Sequence, residues 1–161
     1  MADNSPDSRG IFRARFALPD LAATTRLGGG IAAGLSAGDA VALWGELGAG
    51  KTTLARAILR ALGVTGDVPS PTFTLVQTYR TGRLAVSHFD LYRLKQAREM
   101  DELGLDEMLE DGAVLVEWPE RAPEALPPEA TLHVRLGMED DLRLARLTGP
   151  ARWKDVVRDD A

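Results

Sequence analysis

The fold of this chain is decided by one octapeptide, Gly45-Glu46-Leu47-Gly48-Ala49-Gly50-Lys51-Thr52. It fits Gly-x-x-x-x-Gly-Lys-[Ser/Thr], the pattern of a phosphate-binding P-loop. The glycines let the backbone bend so that successive N–H groups point at one anion, and the N-terminus of the following helix adds partial positive charge. We therefore expect Lys51 to reach the β- and γ-phosphates of a nucleotide and the Thr52 hydroxyl to hold Mg²⁺.

The residues on either side of the octapeptide have the pattern that a P-loop requires. Residues 40–44 form a five-residue apolar run, which is typical of a buried parallel strand. Residues 53–62 are helical in period, with one apolar stripe made of Leu54, Ala55, Ile58, Leu59 and Leu62. Strand, loop and helix therefore come in the required order, and Gly63 ends the helix.

Length and composition are typical of one globular domain. The chain has 161 residues, 45% of them apolar, and a net charge of −5 without a basic cluster. Nucleic-acid binding depends on neutralising phosphates, so this charge argues against the chain holding nucleic acid by itself. There is no cysteine, hence no disulfide and no thiolate metal site, and two histidines are too few for a zinc site. No apolar run approaches 18 residues and no secretory signal begins the chain, so we expect a cytoplasmic protein without a membrane span.

The pattern along the chain predicts an α/β fold, a three-layer P-loop NTPase with a mixed, partly parallel sheet flanked by helices. We expect a disordered segment at residues 1–10, an ATPase domain at 11–149 and a loosely held tail at 150–161. The predicted strands are 11–18, 40–44, 72–79, 84–89, 113–116, 130–136 and 142–147. Predicted helices cover 21–35, 53–62 and 91–109, the last broken by Gly104, and a proline-rich loop covers 119–128.

Two acidic residues directly follow predicted strands. Glu117 follows the apolar run at residues 113–116, and Asp90 follows the strand at 84–89. An acid at the carboxyl edge of an α/β sheet lies where ligands bind, and a P-loop NTPase needs one near Mg²⁺. Glu117 is the better metal candidate because its strand is more apolar, whereas Asp90 suits a water-positioning role.

Several further residues are candidates with an ordinary structural alternative beside each. Hydroxyls in residues 70–74, including Thr72, either sense the γ-phosphate or merely begin a strand. Trp118 either stacks on the nucleotide, faces a partner or simply packs. His88 is interpreted as a packed residue. Arg143 and Arg146 lie three apart on one predicted strand and face opposite ways, so at most one reaches the site.

Four segments line up in order: the P-loop with Thr53, Ser70-Pro-Thr-Phe-Thr-Leu-Val76, His88-Phe-Asp-Leu-Tyr-Arg-Leu94 and Leu115-Val-Glu-Trp-Pro-Glu120. Together they resemble the TsaE (YjeE) family, small bacterial ATPases needed for threonylcarbamoyladenosine modification of tRNA next to the anticodon. The resemblance runs from about residue 11 to 149 and is looser in residues 21–37 and after Pro150. Leu21 departs from a commonly acidic residue, so contact of residues 20–24 with the base is not carried over.

The resemblance implies ATP and Mg²⁺ as ligands and assigns roles to matching positions. Thr52 and Glu117 would hold the metal, while Asp90, Thr72 and Lys51 would support hydrolysis. The implied nucleotide-binding residues are Gly45, Glu46, Leu47, Gly48, Ala49, Gly50, Lys51, Thr52, Thr53, Trp118 and Arg143. The implied partner is the TsaD–TsaB heterodimer, which makes the transfer to tRNA; the ATPase binds and resets that pair and meets tRNA only indirectly.

Two other functions remain open from the residues alone. A small-molecule or nucleotide kinase shares the P-loop but needs an arginine-rich lid, and the 119–128 loop has only Arg121. A non-catalytic, nucleotide-gated binding module would need the P-loop but no hydrolysis. A GTPase is weaker still, since no Asn-Lys-x-Asp motif occurs. No arginine finger accompanies the P-loop, so the ATPase hypothesis predicts slow turnover that a partner raises.

Overall fold

The computed structural model describes residues 10–157. Its strands are β1 (Ile11–Ala17), β2 (Ala40–Trp44), β3 (Val76–Arg80), β4 (Ala85–Asp90), β5 (Gly112–Glu117), β6 (Thr131–Glu139) and β7 (Leu142–Pro150). Its α-helices are α1 (Leu21–Gly34), α2 (Lys51–Ala61), α3 (Met100–Leu103) and α4 (Leu105–Asp111). The seven strands form one sheet in the order β1-β7-β6-β2-β5-β4-β3.

The middle of the sheet is parallel and its outer strands are antiparallel. β2 pairs in parallel with β5 and β6, and β4 pairs in parallel with β5, whereas β1, β3 and β7 run against their neighbours. One buried apolar cluster joins α1 and α2 to one face, and a second joins α3 and α4 to the other face of β2, β4 and β5. The predicted α/β class, three layers and mixed sheet are confirmed. The physical reason for the three layers is that continuous apolar strands need cover on both faces.

The helices α1 and α2 pack closely at a glycine. A Cβ atom on Gly28 would lie 2.6 Å from Cβ of Ala57 in α2. The neighbouring Gly29 has open space around the same position. The glycines at 28–30 make α1 a weak helix by propensity, and the close approach at Gly28 gives one of them a packing reason.

Two predicted elements begin later than the sequence pattern indicates. The strand predicted from residue 72 starts at Val76, because residues 72–74 form a turn in which the Leu75 amide donates to the Pro71 carbonyl at 2.7 Å.

The helix predicted for 91–109 is also wrong at its start. Asp90 accepts a hydrogen bond from the Tyr92 amide, residues 91–96 are not helical, and helical structure begins with a 3₁₀ turn at Ala97–Glu99. The break at Gly104 is confirmed, with φ of +78°.

The C-terminal part of the described chain is more ordered than predicted. The turn between β6 and β7 is the pair Asp140-Asp141, both at positive φ, so each strand is longer than expected. The tail predicted to be loose instead forms a 3₁₀ helix at Ala151–Asp155, and the Trp153 side chain is fully buried against the main core. The predicted loop at 119–128 is present but contains short 3₁₀ turns. The segment predicted to be disordered, residues 1–10, lies outside the described residues except for Gly10, which is in a turn. Within residues 10–157, no helix has the length and apolarity to cross a bilayer.

Candidate active site

The P-loop connects β2 to α2 through three glycines at positive φ. The angles are +152° at Gly45, +83° at Gly48 and +107° at Gly50, a region that side chains with a Cβ rarely adopt. A Cβ on Gly45 would also lie 2.9 Å from the carbonyl oxygen of Leu136. The first turn of α2 therefore starts from a tightly bent loop whose shape only glycine permits.

A cavity of about 440 Å³ opens over this loop at the carboxyl edge of the parallel strands. It brings together almost all of the predicted site residues, from the P-loop, from the ends of β4 and β5, and from β7. Its lining is Leu47, Gly48, Gly50, Lys51, Thr52, Thr53, Ser70, Thr72, Asp90, Tyr92, Arg93, Glu117, Trp118 and Arg143. The predicted Glu46 and Ala49 line a neighbouring cavity of about 400 Å³ instead, on the side of β6.

Lys51 is held inside the loop that it belongs to. Its Nζ donates hydrogen bonds to the carbonyl of Gly45 and, at 2.9 Å, to that of Glu46, and it lies 3.9 Å from the centre of the Trp118 ring. Burial lowers the pKa of Lys51 below its ordinary value, against the opposing attraction of nearby carboxylates, of which Glu117 is the strongest. The site thus holds a buried cation that has only neutral groups in direct contact.

Thr52 and Glu117 meet at the head of α2. The Thr52 hydroxyl donates to Oε1 of Glu117 at 2.7 Å, and the other carboxylate oxygen accepts from Nε2 of His88 at 2.6 Å. Glu117 and His88 are both buried, at 2% and 0% exposed. Nδ1 of His88 is buried without a hydrogen-bond partner among the described residues. Both oxygens of the carboxylate are therefore held in place from opposite sides.

Asp90 lies at the end of β4, level with Glu117 on β5, and organises the turn at residues 70–74. Its Oδ2 accepts from the hydroxyls of Thr72 at 2.9 Å and Ser70 at 3.3 Å, and its Oδ1 accepts from the Tyr92 amide at 3.0 Å. These bonds fix the carboxylate where it lines the cavity. The late start of β3 follows from this arrangement, because the turn carries Thr72 to Asp90.

Trp118 covers the cavity in a conformation that is unusual for a side chain of its size. Its φ of +59° is left-handed, and its ring lies 4.9 Å from that of Tyr92 and over Lys51. The Trp118 ring therefore borders the cavity and contacts the P-loop lysine. Of its three alternatives, this position favours contact with a nucleotide.

The two arginines on β7 separate as predicted. Arg143 lines the cavity, with Nη1 lying 3.8 Å from the position that a Cβ on Gly50 would take. Arg146 points to the opposite face of the sheet and forms an ion pair with Glu139. Arg143 is thus the β7 arginine that faces the P-loop.

Comparison with known proteins decides the family. The family model described as threonylcarbamoyl adenosine biosynthesis protein TsaE matches residues 18–146. The chain belongs to the TsaE family. It is 44% identical to tRNA threonylcarbamoyladenosine biosynthesis protein TsaE of Synechocystis, over 68% of this chain and 72% of that protein. It is 42% identical to the protein of the same name from Rickettsia bellii, over 73% of this chain and 82% of that protein. The crystal structure of Bacillus subtilis YdiB superimposes with a TM-score of 0.75 at 31% identity, over 91% of this chain and 92% of that one.

The predicted resemblance to the TsaE family is therefore confirmed, and with it a role in tRNA threonylcarbamoyladenosine biosynthesis as the family's function. The residues at the P-loop also fit the ligands that the resemblance implies. One hydroxyl and one carboxylate 2.7 Å apart suit Mg²⁺, which takes few protein ligands and completes its shell with water and phosphate oxygens. Among residues 10–157 no group of three or more His, Cys, Asp or Glu side chains that could hold a metal ion occurs.

Sequence reasoning missed three residues of this TsaE-family site. His88 was interpreted as a packed residue, and it is buried, but it also contacts Glu117. Tyr92 and Arg93 were not singled out, although both line the cavity. A signal was present in each case: His88 shares a face of β4 with Asp90 because side chains alternate along a strand, and Tyr92 and Arg93 directly follow the same strand end.

Proposed function

We propose that this chain binds Mg·ATP at its P-loop and hydrolyses ATP slowly, as the ATPase subunit that supports threonylcarbamoyl transfer to the adenosine next to the tRNA anticodon. The observation that carries the proposal is the 2.7 Å hydrogen bond between the Thr52 hydroxyl and the Glu117 carboxylate at the first turn of α2. A P-loop hydroxyl and a strand-end carboxylate are the protein groups with which P-loop NTPases hold Mg²⁺.

Binding uses groups that the protein already holds in place. The amides of the P-loop and the N-terminus of α2 face the phosphates, and no acidic side chain in the first turn of α2 competes with them. Lys51 exchanges its bonds to the Gly45 and Glu46 carbonyls for bonds to phosphate oxygens, which are stronger acceptors because they carry charge. Trp118, lying over the lysine, borders the place where the phosphates bind.

Hydrolysis then depends on positioning and electrostatics rather than on covalent chemistry by the protein. Asp90, fixed by Thr72 and Ser70, orients the attacking water in the cavity that it lines. Arg143 contacts the phosphates from β7. Bound Mg²⁺ supplies positive charge against the negative charge that develops on the transferred phosphoryl group.

The proposed partner is the TsaD–TsaB heterodimer, and turnover by the isolated chain is expected to be low. Calorimetry with Mg·ATP tests binding, and phosphate release with and without TsaD–TsaB tests catalysis. Lys51→Ala and Thr52→Ala should abolish the binding heat, whereas Thr25→Ala, on the exposed side of α1, makes the same kind of truncation away from the site and should leave it unchanged. Absence of any heat from the wild-type protein would refute the proposal.

The two alternatives have distinct outcomes in the same experiments. A kinase would transfer the labelled γ-phosphate to an acceptor other than water. A non-catalytic module would lose partner binding with Lys51→Ala, while the wild-type protein released no phosphate even with the partner present. Slow release that TsaD–TsaB accelerates is the result expected from the proposed ATPase.

A further inference from the structure

The face of the sheet opposite α1 and α2 carries a row of arginines. Arg15 on β1 is directly opposite Arg146 on β7, and Arg146 is directly opposite Arg135 on β6. We call these three residues the arginine row. Neighbouring strands are 4.7–4.9 Å apart, so the row extends over about 10 Å. Trp44 on β2 continues it, being opposite Arg135, whose guanidinium lies 4.6 Å from the Trp44 ring.

This face is open among the described residues. The apolar cluster that covers the second face of the sheet includes residues of β2, β4 and β5 but none of β1, β6 or β7. Arg15 and Arg146 are 57% and 58% exposed, and a cavity of about 180 Å³ lies beside Arg135 and Arg146. The row is therefore accessible to a large ligand.

Like charges directly opposite each other destabilise a pair of strands, and the row contains two such pairs in succession. Glu139 compensates in part, since it forms ion pairs with both Arg15, at 3.0 Å, and Arg146. The three guanidinium groups of the row therefore face only one paired carboxylate, that of Glu139, although the net charge of the chain is −5. Such a local excess of positive charge in an acidic protein is a feature that stability alone does not explain.

We propose that the arginine row binds the phosphate backbone of RNA, with the Arg135 guanidinium, backed by the half-buried Trp44 ring, offering a stacking surface at its end. Arginine forks match phosphate oxygens, and aromatic rings with arginine planes stack on exposed bases. RNA is favoured over an acidic protein surface because the family acts in the biosynthesis of a modified tRNA nucleoside. The sequence argued against nucleic-acid binding because it contains no basic cluster, but strand pairing brings together three arginines that lie far apart in the chain. The proposal concerns a different face from the P-loop and does not depend on ATP hydrolysis.

The test measures binding of a labelled, unmodified tRNA transcript to the full chain by fluorescence anisotropy at several salt concentrations. The variant Arg15→Gln/Arg146→Gln removes two charges of the row. The control Arg26→Gln/Arg98→Gln removes two exposed arginines from α1 and from the 3₁₀ turn before α3. Far-UV circular dichroism and the melting temperature check that each variant keeps its fold. Glu139→Gln removes the carboxylate that pairs with the row.

The wild-type protein should bind tRNA with an affinity that falls steeply with salt. The row variant should lower the slope of log K against log salt by about two, one for each lost phosphate contact, and the control should not change it. Glu139→Gln should tighten binding. The proposal is overturned if wild-type protein does not bind tRNA at about 50 mM salt, or if both double variants lose affinity equally. It is also overturned if polyglutamate competes as well as unlabelled tRNA, which would assign the row to an acidic protein.

Discussion

Replacing Gly28 by alanine should destabilise the protein, whereas the same change at Gly29 should stabilise it. Both residues lie in the interior of α1, so each variant gains the same helix propensity, about 0.8–1.0 kcal/mol. The environments differ. The new methyl at residue 28 would lie 2.6 Å from Cβ of Ala57 and 3.0 Å from its backbone carbon, whereas at residue 29 it would meet no atom within 4 Å.

The expected magnitude follows from subtracting the free energy of unfolding of one variant from that of the other. The propensity terms cancel, and the remaining difference in the free energy of unfolding is the overpacking at Gly28, about 1–3 kcal/mol. For a protein of this size each kcal/mol shifts Tm by roughly 2–4 °C, so the two melting temperatures should differ by roughly 2–12 °C. Urea unfolding followed by far-UV circular dichroism measures the same difference in free energy.

The same pair of variants connects packing to the site. Ala57 lies in α2, whose first turn carries Lys51 and Thr52, so pushing α2 away from α1 should also weaken ATP binding by Gly28→Ala but not by Gly29→Ala. Equal stability of the two variants, or a Gly28→Ala protein more stable than wild type, would show that the contact between α1 and α2 is not as tight as described.

Three further changes test other parts of the structure. His88→Leu leaves one oxygen of buried Glu117 without a partner and should lower the free energy of unfolding by about 1–3 kcal/mol. In calorimetry it should also raise the Mg²⁺ concentration that ATP binding needs. His88→Gln should restore part of both effects because its side-chain amide can donate a hydrogen bond. Burial, and to a smaller extent the charge of Arg135, lowers the pKa of His133 below 6.5, so the unfolded chain binds this proton more readily. Stability should therefore fall as the pH drops below about 6.5, and His133→Gln should flatten that dependence in urea titrations; an unchanged slope would contradict it. Trp153→Ala should lower the free energy of unfolding by about 3–5 kcal/mol, since the ring is fully buried, and a cost below about 1 kcal/mol would mean that the C-terminal segment is loosely held after all.

The features that could be predicted from the sequence are those determined by residues close together in the chain or by the regular geometry of strands. The strand β2, the P-loop and α2 follow from an apolar run, a glycine pattern and a helical stripe that lie next to each other in the chain. Glu117 and Asp90 could be placed at one edge because parallel strands end together. The opposite directions of Arg143 and Arg146 follow from the period of a strand.

Two of the errors have causes that are distant in sequence. The turn at residues 71–75 is held by the hydrogen bond between Asp90 and the Thr72 hydroxyl, 18 residues apart. The C-terminal segment is ordered because Trp153 packs on α1, where a Cβ on Gly34 would lie 2.8 Å from its ring. Neither the Asp90–Thr72 bond nor the Trp153–Gly34 contact is visible in a window of neighbouring residues, so propensity alone placed these two boundaries wrongly.

The places where this chain departs from ordinary local rules lie near one edge of the sheet. Trp118 has a left-handed backbone, which costs a non-glycine residue about 1–2 kcal/mol, and Lys51 is a buried cation with a lowered pKa. Arg146 faces an arginine on either side. A negatively charged ligand would offset the burial of the Lys51 cation and the repulsion between the facing arginines. Because the β7 residues Arg143 and Arg146 point to opposite faces, the two anion sites that we propose are separated by a single layer of backbone, and each can be disrupted without removing a side chain of the other.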